Sequence, residues 1–197
     1  TLPMWMTLAC RGVVAPQGPT LLGWYTSGTP ILNAVCAING IIGLVGDGSL
    51  RQIKFISDSF RIAYTTNSYV TSNNIAQREI KNVTSEGSNG KGGDIVVWYE
   101  TNDLDMTILP NAPIDIDTGL PTPSIVLATN SGISVLKDDG VVINRAPAET
   151  PSNYIHSVLW DGDHYIYGEH HSSSGHASAV RRAGYDATGG TGGIHYD

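Results

Sequence analysis

Apolar and polar residues alternate in short runs along this chain, and Gly, Asn, Asp or Pro cuts the runs every few positions. Gln52-Ile53-Lys54-Phe55-Ile56 and Phe60-Arg61-Ile62-Ala63-Tyr64 both repeat with a period of two, the spacing of a strand with one buried face. The clearest series lies between Leu104 and Tyr167. It holds an apolar strand from Ser124 to Ala128, an Asn-Ser-Gly turn at 130 to 132, a strand from Ile133 to Leu136, an Asp-Asp-Gly turn at 138 to 140, and a strand from Val141 to Ile143. Strands and tight turns in such close succession predict an antiparallel meander. An earlier stretch reads alike: Ile31 to Val45, the turn Gly46-Asp47-Gly48, then strands from Leu50 to Ile56 and Phe60 to Thr65 about Ser57-Asp58-Ser59. This predicts a four-stranded meander.

The two stretches resemble each other. Ala37 to Gly48 aligns with Ala128 to Gly140 with one inserted residue, and Phe55 to Ser59 with Ile62 to Tyr64 lies over Val158 to Gly162 with Tyr165 to Tyr167. Ala37 and Ala128 stand two periods of about 45 residues apart, the length of a four-stranded propeller blade. A divergent blade is then expected between them, using 94 to 100 and 106 to 109 after a Gly-rich loop at 82 to 93. The expected fold is all-β, a β-propeller-like array of four-stranded antiparallel meanders, about four blades filling the length; a β-sandwich of the same meanders is the alternative. Residues 1–29 read as an N-terminal arm or closing strand, 30–186 as the propeller-like domain, and 187–197 as a Gly-rich tail that is a linker or is ordered only by contact.

Composition supports the class: among 197 residues there are 23 Gly and 10 Pro, and β-branched and turn-forming residues abound. The net charge of −7 with only 11 Lys plus Arg argues against a nucleic-acid partner. Charged residues make up 15%, which suits surfaces that pack on neighbours or meet carbohydrate. Cys10 and Cys36 read as free buried thiols, because two cysteines make no framework. No apolar run is long enough for a membrane helix, and no signal-peptide pattern leads the chain. Thr1 in place of an initiating Met points to a processed product or part of something longer.

From Leu109-Pro110-Asn111-Ala112-Pro113-Ile114-Asp115 through Thr118 to Thr129 and on to Ser134-Val135-Leu136-Lys137-Asp138-Asp139-Gly140, the chain resembles tailed-bacteriophage structural proteins. These are tail-fibre or minor virion proteins with propeller-like repeats. The resemblance covers roughly Asp105 to Tyr167. It implies a virion tail component assembled in the host cytoplasm, in contact with other tail proteins and a host-surface glycan or receptor, and it implies no enzymatic activity. Ser134 to Gly140 is also similar to the Asp-box turn of sialidase-like propellers, which is itself structural.

Candidate chemistry is sparse. Asp138 reads as a turn former whose carboxylate accepts backbone N–H groups. His156, His164, His170, His171, His176 and His195 all fall near the C-terminus; His164, His170, His171 and His176 could meet Asp161, Asp163 and Glu169 on one rim and hold a metal, but their spacing matches no standard ligand pair. The pairs Asp103/Asp105, Asp115/Asp117 and Asp161/Asp163 could serve a glycosidase or a calcium site, yet each reads as loop or turn, where Asp is simply favoured. Trp98 and Trp160 sit in apolar runs and read as core; Tyr99, Tyr165 and Tyr167 could pack or stack on sugar. The sequon Asn82-Val83-Thr84 is near chance expectation. No residue is assigned to catalysis, a cofactor or a metal. The expectation is therefore a non-enzymatic, homo-oligomeric virion protein. A tailspike-type glycosidase, using Asp103, Asp105, Asp161 or Asp163, and a secreted surface-filament subunit are the alternatives.

Overall fold

The computed structural model describes residues 32–46, 48–55, 59–63, 68–71, 83–85, 100–116, 118–145, 154–170, 178–184 and 194–195. Among them the chain forms strands and no helix. A first sheet runs β1 (Ala34–Ile38), β2 (Ile41–Gly46), β3 (Ser49–Lys54), β4 (Ser59–Ala63), β5 (Ser68–Thr71) and β6 (Val83–Ser85), each strand pairing with the next. A second contains β7 (Thr101–Thr107), β8 (Ser124–Thr129), β9 (Gly132–Leu136) and β10 (Val142–Arg145). The third contains β11 (Tyr154–Asp161), β12 (His164–His170), β13 (Ser178–Gly184) and β14 (Ile194–His195). All the pairings are antiparallel meanders, and none of the three sheets closes on itself.

Turn chemistry fixes the register. Asn39 and Gly40 carry φ of 49° and 76°, so the β1–β2 hairpin turns on two left-handed residues, as a two-residue type I′ turn requires. Ile38 then faces Ile41 across the hairpin. Between β9 and β10, Gly140 N–H bonds the Lys137 carbonyl at 3.0 Å while Lys137 N–H bonds the Val141 carbonyl at 2.8 Å. Gly140 has φ 84°, the left-handed position that completes a three-residue hairpin loop.

The second sheet is the middle layer. Ile125 and Leu127 on β8 join Ile41, Val45, Leu50, Leu104 and Met106 in one apolar cluster. Val126 and Ala128, pointing the other way, join Ile155, Val158, Trp160 and Tyr165 in another. Because both faces are covered, every residue of β8 and β9 is buried, and the sequence there is a near-continuous apolar run without alternation. β7 is the hinge of this arrangement: it packs on β1 and β2 to one side and on β11 to the other.

The sequence reading places the central hairpins well and misplaces what surrounds them. The stretch from 31 to 65 holds the four strands expected, β1 to β4, and the sheet then continues through β5 and β6. The divergent blade expected at 94 to 109 is not separate: Thr101–Thr107 is the first strand of the sheet that holds β8 to β10, and residues 94–99, with Trp98 and Tyr99, lie outside the described residues. The internal match also crosses sheet positions. Ala37 to Gly48 spans the first hairpin of its sheet, whereas Ala128 to Gly140 spans the middle hairpin, so the likeness follows hairpin chemistry and not a blade register. The 1–29 arm lies outside the described residues. Within the segment read as tail, Ile194 and His195 pair with Arg182 and Arg181.

Candidate functional site

β7 carries the pattern Thr-Asn-Asp-Leu-Asp-Met-Thr, and its alternation divides two jobs. Leu104 and Met106 enter the core toward the first sheet. Asp103 and Asp105 point toward β11, where Asp103 Oδ2 accepts the Val158 N–H at 3.1 Å and Asp105 Oδ2 accepts the Trp160 N–H at 2.8 Å. The spacing of two on β7 matches the spacing of two on β11, because successive outward N–H groups of a strand recur at that period. The two carboxylates thus stand where a neighbouring strand's carbonyls would, and they blunt the free edge of β11. Their other oxygens accept the N–H groups of Leu104 and Met106 at 2.9 and 2.8 Å. Asn102 completes the strip: its Nδ2 donates to the Ile155 carbonyl at 2.7 Å and to Asn130 Oδ1 at 2.9 Å.

Asp105 also meets β1. The Cys36 Sγ lies 3.7 Å from Asp105 Oδ1, and burial first, then the nearby carboxylate, pushes the Cys36 thiol above its ordinary pKa. The expectation that Asp103 and Asp105 lie in a loop is therefore corrected: they lie in a strand, both bonded to backbone N–H groups of the third sheet.

The second feature is the connection from β7 to β8. Pro110, Pro113, Pro121 and Pro123 restrict it. A one-bridge hairpin pairs Ile114 with Pro121, and Thr122 N–H bonds the Pro113 carbonyl at 2.8 Å. Asp115 holds the tip, its Oδ1 accepting the Thr118 N–H at 3.2 Å and its backbone carbonyl accepting the Gly119 N–H at 2.8 Å. Two ties bind the base to the first sheet: Lys54 Nζ to Asp115 Oδ2 at 3.5 Å, and Asn39 Nδ2 donating to the Pro121 carbonyl at 2.9 Å. On this fixed base Ile114, Ile116 and Leu120 face solvent, Ile116 being 95% exposed. Sequence reasoning took the stretch as a turn framework and missed the tip; the signal was three aliphatics among four prolines. Asp117 lies outside the described residues.

The remaining candidates separate. His164 opens β12 and His170 closes it, roughly 20 Å apart at the rise of a strand. Asp161 and Asp163 stand at the His164 end and Glu169 at the other, so His164 and His170 do not share one end of the strand. His171 and His176 lie outside the described residues, and among those described no three His, Cys, Asp or Glu side chains are grouped to hold a metal. Asp161 pairs with Arg182 at 2.9 Å. Asp163 bonds His164 Nδ1, and that bond holds the exposed Asp163 carboxyl below its ordinary pKa. In the β9–β10 turn the carboxylate that accepts the Val141 N–H is that of Asp139, at 2.9 Å, while Asp138 donates its own N–H to Ser124 Oγ at 3.2 Å.

Trp160 is core, as its apolar run suggests, and its ring N–H donates to the Asp105 carbonyl at 3.2 Å. Tyr165 and Tyr167 are buried beside it, and burial raises the Tyr165 phenol pKa although Arg145 bonds it. Neither is free to stack on a sugar.

No protein-family model, no curated protein and no solved structure matches the chain.

Proposed function

We propose that this chain is a non-enzymatic contact protein of a bacteriophage virion, a tail-fibre or tail-associated adhesin subunit. Stacked meanders hold its contact loops rigid. The observation that carries the contact role is the Leu109 to Pro123 connection: solvent-facing Ile114, Ile116 and Leu120 on a base tied by prolines, Asp115, Lys54 and Asn39. A soluble domain has no folding reason to order an aliphatic tip in water, whereas a partner that covers the tip recovers about 25 cal/mol per Å² of apolar surface.

The virion assignment rests on the resemblance over Asp105 to Tyr167. The propeller-like array belongs to the same reading: the first strands of the three sheets, β1, β7 and β11, lie side by side, as the inner strands of neighbouring blades do. Other tail proteins and a host-surface receptor are the partners, and many weak contacts sum through multivalency. The glycosidase alternative is not favoured, because Asp103, Asp105 and Asp161 are each bonded to backbone N–H groups or to Arg182.

Immunogold electron microscopy of a producing culture, with serum raised against the chain, tests the assignment. Gold on phage tails is the expected result; gold on cell-attached filaments, or only in particle-free medium, overturns it. Addition of the purified chain to host polysaccharide should release no oligosaccharide, and release abolished by Asp103→Asn would restore the glycosidase.

A further inference from the structure

We draw no further inference here: the strongest candidate, the outer face of the third sheet where Leu159 and Val180 meet solvent, carries none, because Asp161 and Arg182 at its edge pair with each other and nothing in the structure shows what covers it.

Discussion

The backbone N–H of Trp160 donates to the carboxylate of Asp105 at 2.8 Å, and the Trp160 ring N–H donates to the Asp105 carbonyl at 3.2 Å. One residue of the second sheet thus meets both ends of a core aromatic of the third. Asp105→Ala leaves the Trp160 and Met106 N–H groups without their acceptor in a half-buried seam. It should cost about 2–3 kcal/mol, and Asp105→Asn, which keeps one acceptor oxygen, about 1–2 kcal/mol. Urea unfolding measures both. A loss below about 0.5 kcal/mol for Asp105→Ala, the ordinary range of surface changes, would show that the seam does not depend on this carboxylate.

Cys36 offers a second view of the same group. Burial, followed by the Asp105 charge, raises its pKa. A thiol whose folded value is raised adds stability that is complete below its unfolded pKa and disappears as pH rises through the folded value. Iodoacetamide labelling of a Cys10→Ser protein should therefore reach its half-maximal rate at a higher pH than an unfolded control. Asp105→Asn, where folded, should bring that midpoint down. A midpoint equal to the unfolded control contradicts the burial of the thiol.

Gly43 faces β7. A Cβ built there would lie 2.3 Å from Met106 Cε and 2.6 Å from Leu104 Cδ1, and both side chains are buried. Gly43→Val should destabilise by about 1–3 kcal/mol through overpacking. Met106→Ala alone creates a cavity, but in the Gly43→Val background it should recover part of the loss, a coupling that a double-mutant cycle reads directly.

At the loop tip, stability and binding should part. Ile116→Ser removes a side chain that touches solvent alone, so unfolding free energy should change by no more than about 0.5 kcal/mol. Adsorption of the variant to host cells or to other tail proteins should fall. Undiminished adsorption would remove the tip from the contact.

The central hairpins were legible because their determinants are local: Asn130-Ser131-Gly132 and Asp138-Asp139-Gly140 each close a short loop, whereas the Asn39-Gly40 turn inside the run from 31 to 45 was not picked out. The all-β class followed for the same reason. The acidic strand was not legible, since Asp in a short polar run reads as turn. Only the alternation of Leu104 and Met106 with Asp103 and Asp105 marks a strand with two partners, and that meaning depends on β11, more than fifty residues later. Of the histidines, composition could not show that the seven-residue strand His164–His170 sets two of them at opposite ends. The aliphatic tip was hidden by its company, because prolines and glycines announce a loop without saying which side chains it leaves in water.

The middle sheet has consequences for synthesis. Val126, Ala128, Ile133 and Val135 are covered by residues from Ile155 onward, so a nascent chain that has emerged only as far as β10 presents a finished sheet with one oily side. Growth at about 5–20 residues per second keeps it in that condition for seconds, long enough for a chaperone or a second nascent chain to reach it. Slow codons between Arg145 and Tyr154 should lower the soluble yield, whereas the same codons after β13 should not.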